Sequence, residues 1–310
     1  MTFVDWYFER MSLLSGLGFT IGPALWAAAA LTLIPLLATA FFSRTLTASV
    51  EWLPLPVRLL CPAVLCVPYV LVTSSLNAFR WDWFALYVLL PVAVAVLSWK
   101  ARQADHARRG DWRDFLVLAM LGLAVDLRWF ERAWPPHLAV FNKILLLDAG
   151  IYGFILVRQL DGVGFDLRLR LRDLATGLRE FGWYAPLAIA LGLTMGFLHV
   201  HAVWPQPSAL AVAYLFTFMF IAIPEELFFR GWMQNLLERR LGRTPALLVT
   251  AVLFGLSHFN KRAAYFNWRY VVLAALAGIF YGRAWRRDRR VGASAITHAC
   301  VDTIWSQWLR

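Results

Sequence analysis

The chain alternates long apolar stretches with short polar segments, and most of the stretches are long enough to cross a membrane. A transmembrane helix needs about 20 apolar residues. Ten stretches approach or reach this length, and the fourth is the shortest. Their bounds are Leu17–Phe42, Pro56–Leu76, Asp82–Ser98, Asp114–Val125, Pro136–Val157, Gly182–Val203, Ser208–Leu237, Pro245–His258, Trp268–Trp285 and Gly292–Trp308. The pattern therefore predicts an all-α fold, a polytopic transmembrane helical bundle of about ten spans.

A different pattern follows the fifth stretch. Between 165 and 181, leucines recur at helical spacing while arginines occupy the other faces. This arrangement predicts one interfacial amphipathic helix, although the alternation of Leu and Arg over 167–172 would by itself fit a strand. The chain is accordingly expected to comprise amino-terminal transmembrane helices at 1–160, an amphipathic connector at 161–181 and a carboxy-terminal transmembrane core at 182–310.

Composition supports a membrane protein. Of the 310 residues, 60% are hydrophobic and 16% are charged, and the 16 tryptophans suit the membrane interface. A net charge of +11 would suggest a nucleic-acid partner in a soluble protein. Here the basic residues lie in short loops between spans, so the positive-inside rule explains them and no nucleic-acid partner is expected. We expect an integral, multi-pass protein of a bacterial-type inner (plasma) membrane, surrounded by the lipid bilayer.

The distribution of basic residues also predicts an orientation. Four loops that carry most of the Lys and Arg fall on one side if the chain has ten spans, and that side is expected to be the cytoplasm. The loops are Trp99–Arg113, Arg158–Arg179, Arg239–Arg243 and Arg286–Arg290. Lys261, Arg262 and Arg269 fall on the opposite side and are the main exception.

Two adjacent carboxylates and an arginine interrupt the seventh stretch. Ionised side chains at mid-depth in a bilayer are costly, so Glu225, Glu226 and Arg230 mark a candidate site. Glu226 and Arg230 are four residues apart and can pair along one helix face. Glu225 points about 100° away and needs a different partner.

Two later stretches carry further ionisable residues. His258 ends the eighth stretch, where a single histidine would ordinarily be an interface or core residue. His298 and Asp302 share one face of the tenth, which also fits a structural hydrogen bond. Gly278 and Gly282 in the ninth stretch predict close helix packing.

Depth in the membrane brings these residues together. At about 1.5 Å per residue from the basic edge, Glu225 and His258 both lie about 20 Å deep, with Asp302 slightly shallower. Such a cluster is expected to be a catalytic site, a proton or ion relay, or a metal site. In a catalytic site a glutamate would act as general base with a histidine beside it. In the metal alternative Glu225, His258, His298 and Asp302 would bind a divalent ion such as zinc, although the zinc-protease motif His-Glu-x-x-His is absent.

At these residues the sequence resembles the CPBP family of intramembrane proteases, named for CAAX-prenyl protease and bacteriocin processing and also called the Abi family. Residues 225–230 are similar to its Glu-Glu-x-x-x-Arg motif, 254–258 to Phe-x-x-x-His and 298–302 to His-x-x-x-Asn/Asp. The resemblance covers roughly 182–310, which it identifies as a CPBP-like catalytic transmembrane core.

The resemblance implies a role for each residue. Glu225 and His258 would activate a water, the Glu226 and Arg230 pair would maintain helix geometry, and His298 with Asp302 would stabilise the oxyanion. The implied activity is hydrolysis of a peptide bond in a membrane-associated, prenylated or leader-peptide substrate, with or without a metal. A non-proteolytic scaffold or bacteriocin-immunity-type protein of the same fold is the main alternative, and a proton-coupled transporter is a third.

Overall fold

Ten helices form the computed structural model, which describes residues 22–135, 138–201, 204–261 and 265–309. Strands are absent from these residues, so the predicted all-α class is confirmed. The helices are α1 (Pro23–Trp52), α2 (Leu55–Ser75, with a 3₁₀ segment at Cys61–Cys66), α3 (Trp81–Ala104), α4 (Trp112–Asp126), α5 (Val140–Val157), α6 (Leu171–Thr194), α7 (Pro207–Leu241), α8 (Arg243–Leu256), α9 (Trp268–Asp288) and α10 (Val291–Trp308).

Five of the ten helices, α1, α2, α3, α5 and α7, are long and apolar enough to cross a membrane. The chain is therefore an integral, multi-pass membrane protein. The other five helices are shorter or more polar, and they include α6, α9 and α10, which carry many of the buried polar side chains.

The chain divides into two compact units, with the change between Asp161 and Gly162. The amino-terminal unit contains α1 to α5 and the carboxy-terminal unit contains α6 to α10. The roles predicted for 1–160, 161–181 and 182–310 stay predictions.

Buried polar bonds link the helices of the amino-terminal unit. The Trp134 indole N–H donates to the Tyr87 hydroxyl at 2.6 Å, and that hydroxyl donates to Asn142 at 3.0 Å. Near the end of α5, Arg158 pairs with the buried carboxylates of Asp105 and Asp114. Burial alone would raise the pKa of Asp105, but backbone N–H groups and the Arg158 guanidinium lower it. The ion pairs of Arg158 thus join the end of α5 to the loop after α3 and to the start of α4.

The prediction of a separate amphipathic helix at 161–181 is wrong. Residues 165–170 are not helical, and 171–181 are the first turns of the continuous helix α6. Asp173 explains the start of this helix: its carboxylate accepts the Arg170 N–H at 2.9 Å and pairs with Arg290 at 2.8 Å. The helix continues through Gly177 and Gly182 into the predicted sixth span, so one helix forms.

The faces of α6 are also reversed relative to a soluble amphipathic helix. Leu171, Leu174 and Leu178 are exposed, whereas Asp173 and Glu180 are buried. Within the carboxy-terminal unit, the buried carboxylates of Asp173, Glu180 and Glu226 have arginine partners, and the leucines of α6 face outward. This is the arrangement expected where the surroundings are lipid and polar groups must pair inside the protein.

The connector that precedes α6 packs as part of the carboxy-terminal unit. The Trp285 indole N–H donates to the Val163 carbonyl at 3.1 Å, and the Val291 N–H donates to the Gly164 carbonyl at 2.9 Å. Two predicted basic loops also meet, because Arg286 donates to the Arg243 carbonyl at 2.8 Å. These contacts agree with a shared side for the basic segments of this unit.

We expect Gly164→Ala to destabilise the protein strongly. Gly164 has φ +72°, and a Cβ there would lie 1.8 Å from the Arg289 carbonyl oxygen. The left-handed backbone and the clash together should cost about 3 kcal/mol or more. Gly196→Ala is the matched control, because Gly196 has φ +61° but no atom within 4 Å of its Cβ position. Its expected cost is about 1 to 2 kcal/mol. Thermal unfolding measured by circular dichroism in nanodiscs would show the difference, and equal losses would contradict the packing of the connector.

Candidate active site

Helix α7 is irregular where it carries the glutamate pair. The regular segment Ile223–Glu226 lies between π-helical segments at Phe218–Ala222 and Leu227–Gln234. Pro224 lacks the N–H that would bond to the preceding turn, and a π turn is one way for a helix to accommodate such a residue. Single π turns recur at functional sites in other helices.

The predicted pair of Glu226 and Arg230 forms in the structure. Both side chains are fully buried, and the Arg230 Nε lies 3.0 Å from Glu226 Oε2. Both Nη atoms of Arg230 have no hydrogen-bond partner among the described residues. The guanidinium instead lies over the Phe254 ring, 5.1 Å from its centroid, and 5.9 Å from Phe229 and Tyr281. Aromatic faces attract the cation where water is excluded.

His298 lies between carboxylates. Its Nδ1 is 2.9 Å from Glu226 Oε1, and its Nε2 is 3.4 Å from Asp302 Oδ2 and 3.9 Å from Glu225 Oε2. Because carboxylates are acceptors, this geometry favours a ring that carries a proton on both nitrogens. The Tyr281 ring stacks on His298, with centroids 4.6 Å apart and planes 17° apart. His298 is therefore a buried, oriented cation.

His258 has a different environment. Its Nδ1 lies 2.8 Å from the Phe254 carbonyl, which can only accept, so Nδ1 is assigned the proton. In the neutral ring the Nε2 atom then has a free lone pair. The Ser257 hydroxyl donates to the same carbonyl at 2.8 Å, and the Tyr270 ring packs 4.8 Å from the His258 ring. A His258 ring held with its proton on Nδ1 suits the role of a base rather than that of a cation.

The three carboxylates of the site differ in access. Glu226 is fully buried, whereas the side chains of Glu225 and Asp302 are 29% and 30% exposed. Lys261 Nζ lies 3.9 Å from Glu225 Oε1. Only Glu225 and Asp302 among these acids can therefore meet a substrate or a water.

An apolar pocket ends at these polar residues. It is a partly open cavity with an empty volume of about 650 Å³ within the carboxy-terminal unit. Helices α6, α9 and α10 supply most of its apolar wall. The lining includes Tyr184, Ala188, Leu273, Ala277, Trp305 and, at the polar end, His258, His298 and Asp302. The site therefore joins an apolar chamber to a cluster of charges.

Close helix packing supports the site, as the glycine pair predicted. A Cβ on Gly278 would lie 2.9 Å from the Ala251 Cα, and one on Gly282 would lie 2.3 Å from Leu247. Helix α9 thus lies directly against α8, which carries Phe254 near its end.

Sequence reasoning missed several residues that contact the site. Ser294 Oγ bonds to Glu226 Oε2 and lies 2.9 Å from the Tyr281 carbonyl. Ser294 precedes His298 by four residues, so helical spacing could have identified it. Tyr281 and Lys261 gave no comparable signal, because their contacts to His298 and Glu225 are contacts between different helices.

The predicted metal alternative gains no support. Within the residues that the structure describes, no three His, Cys, Asp or Glu side chains are arranged to bind one ion. His298 already directs both nitrogens at carboxylates. The donor set does not fit a metal ion, and we assign no step to one.

We expect Arg230→Met to cost about 3 to 5 kcal/mol of stability, because it leaves the buried Glu226 carboxylate without its cation. The control is Arg283→Met, which removes a half-exposed arginine 3.0 Å from Glu180. Although Glu180 is buried, it retains Arg179 as a second partner at 2.6 Å, so a smaller loss is expected. Chemical or thermal unfolding in nanodiscs measures both, and equal losses would argue against a special role for the buried pair.

Comparison with known proteins agrees with these motifs. Residues 206–304 match the family model described as type II CAAX prenyl endopeptidase Rce1-like. The match runs from the residue before α7 into α10 and includes all the candidate site residues. Searches of curated proteins and of solved structures found no match.

Proposed function

Because residues 206–304 form a domain of the Rce1-like type II CAAX prenyl endopeptidase family, a family of peptidases, we propose that this chain is an intramembrane endopeptidase. Its nucleophile would be a water activated by Glu225 and His258. The observation that carries this proposal is the contrast between the two glutamates. Glu226 is buried and bonded on both oxygens, whereas Glu225 is partly exposed beside His298.

Glu225 is the general base in this mechanism. Its carboxylate takes a proton from water while the water oxygen attacks the peptide carbonyl carbon. The Nε2 lone pair of His258 accepts a hydrogen bond from the other O–H of the water and orients the nucleophile, and that hydrogen stays on the attacking oxygen.

His298 stabilises the tetrahedral intermediate through its positive charge. Preorganised charge of this kind acts strongly in a site that excludes water. Asp302 lies 3.4 Å from His298 Nε2 and, when ionised, cannot itself donate to an oxyanion. We therefore assign Asp302 the role of keeping His298 charged and oriented. Glu225 then returns its proton to the leaving nitrogen as the C–N bond breaks.

The pocket supports a substrate with an apolar group next to the scissile bond. Family membership implies a peptide substrate, and the aromatic and aliphatic lining suits a lipid group such as a prenyl chain. The exposed leucines of α6 give this unit an apolar outer surface that suits contact with lipid. We propose a lipidated or membrane-associated peptide as the substrate.

Glu225→Gln and His258→Ala should each lower kcat by about 10²- to 10⁴-fold, because the first removes the general base and the second removes the group that orients the water. The test uses purified protein in nanodiscs with a lipopeptide library and mass spectrometry of the products. Arg283→Met serves as the control and should cleave like wild type. Each protein is also measured after chelator treatment.

Full activity in Glu225→Gln would remove its role as base. Loss of wild-type cleavage with chelator would favour the metal alternative. A folded wild-type protein that cuts none of the library would favour the non-proteolytic scaffold instead.

A further inference from the structure

A line of four polar side chains follows one face of α7 from the candidate site towards the end of the helix. Glu226, Arg230, Gln234 and Glu238 recur every four residues, and all four are buried. The candidate site includes only the first two. Glu238 then pairs with Arg289 at 2.7 Å, and the Arg289 side chain is 41% exposed. The line therefore leads from the fully buried Glu226 to a residue at the surface of the unit.

Two steps along this line are hydrogen-bonded and one is not. Arg230 Nε donates to Glu226 at 3.0 Å, and Gln234 Nε2 donates to Glu238 at 3.2 Å. Between these pairs, both Nη atoms of Arg230 and the Oε1 atom of Gln234 have no hydrogen-bond partner among the described residues. Donors and an acceptor thus lie one turn apart on the same helix face. Buried polar groups without partners are rare in proteins because they are costly.

The orientation of the Gln234 amide follows from its neighbours. Its Nε2 lies 3.2 Å from Glu238 Oε1 and 3.4 Å from the Gly282 carbonyl oxygen, and both of these atoms are acceptors. Turning the amide over would place its oxygen against two acceptors, so the unpartnered atom is the oxygen. The amide packs at Gly282 together with Leu247 of α8, because a Cβ on this glycine would meet both side chains.

Helix α8 supplies a third unpartnered group at the same level. Thr250 is fully buried, and its Oγ1 has no hydrogen-bond partner among the described residues. It lies three residues after Leu247 and four before Phe254, so the three share one face of α8. Leu247 marks the level of Gln234, and Phe254 marks that of Arg230, whose guanidinium is 5.1 Å from the ring centroid. Thr250 therefore lies at a height between Gln234 and Arg230.

We propose that Arg230, Gln234 and Thr250 bind an internal water molecule between α7 and α8. The water accepts a hydrogen bond from an Nη–H of Arg230, donates one to Gln234 Oε1 and forms a third with the Thr250 hydroxyl. About three hydrogen bonds to otherwise unpaired groups is the usual number for a buried water. An anion would suit Arg230, but the amide oxygen of Gln234 would repel it, so the three groups together favour water.

The water joins the two bonded pairs of α7 into one hydrogen-bonded chain from Glu226 to Glu238 and its partner Arg289. It also satisfies Arg230 on the side that faces away from Glu226, which holds the guanidinium in place over the aromatic rings. This site goes beyond the proposed function, because it concerns how the unit accommodates a buried cation and not how a peptide is cleaved.

Thr250→Val distinguishes a bound water from an unpartnered hydroxyl by the sign of its effect. Removing a hydroxyl that has no partner should leave the unfolding equilibrium constant unchanged or lower it. Removing one that binds the water should raise that constant by about threefold to tenfold. Thr297→Val is the positive control in the same unit, since the buried Thr297 hydroxyl donates to the Gly177 carbonyl at 3.0 Å. Equilibrium unfolding of the purified full chain in mixed micelles measures each variant.

A double-mutant cycle tests whether Gln234 and Thr250 share the same water. Gln234→Met and Thr250→Val should be coupled, with a combined effect that departs by about threefold or more from the product of the single effects. Gln234→Met combined with Thr297→Val should show no such departure. If Arg230 instead bonded directly to Gln234, then Thr250 would take no part, and the first pair would also show independent effects. That result would contradict the water site.

A density map of the wild-type chain in nanodiscs, at a resolution that shows ordered waters, does not require any variant to fold. A peak within hydrogen-bond distance of Arg230 Nη, Gln234 Oε1 and Thr250 Oγ1 would support the inference. A map that shows other buried waters but none here, or a Thr250→Val variant at least as stable as wild type, would overturn it. None of these measurements uses cleavage, so the water site can fail while the proposed peptidase stands, and the reverse also holds.

Discussion

The buried Glu226 carboxylate is the interaction on which the carboxy-terminal unit depends. It accepts from Arg230 on its own helix and from Ser294 and His298 on α10. A lone carboxylate without water would be very costly, and three charged or polar donors offset that cost. Because the donors come from two helices, this one group sets the rotation of α10 against α7. The orientation of His298, and through it Asp302, follows.

Much of this site could be predicted from helical spacing alone. The pairs Glu226 with Arg230 and His298 with Asp302 are each four residues apart, and both meet in the structure. Spacing within one helix is insensitive to tertiary packing, which explains the agreement. Contacts between different helices were harder to predict from the sequence. Tyr281 on α9 stacks on His298 on α10, a contact between helices that nothing local to Tyr281 indicates.

The fold was predictable in class and in helix number, but less so at its boundaries. Hydrophobic length identified ten segments. The predicted end of the first, Phe42, coincides with a kink in α1, beyond which the helix continues to Trp52, and residues 17–21 of that span lie outside the described part. The connector was predicted as a separate interfacial helix, but residues 165–170 are not helical and 171–181 begin α6. In α6 the leucines at helical spacing face outward and Asp173 and Glu180 are buried. Lys261, an exception to the positive-inside pattern, lies beside Glu225.

The π-helical segments on either side of the glutamate pair have a consequence for how this helix can vary in length. A π turn contains one residue more than the α turn it replaces, so it stores a single-residue insertion in the middle of a helix. Removing one residue within Leu227–Gln234 would convert a π turn to an α turn and leave the residues beyond it in nearly the same angular register relative to Glu225. Gln234, Asn235 and Glu238 would therefore keep facing α9 and its basic end, which they contact. A deletion in a regular part of α7 would instead rotate everything beyond it by about 100°, so a single-residue deletion is better tolerated within these turns.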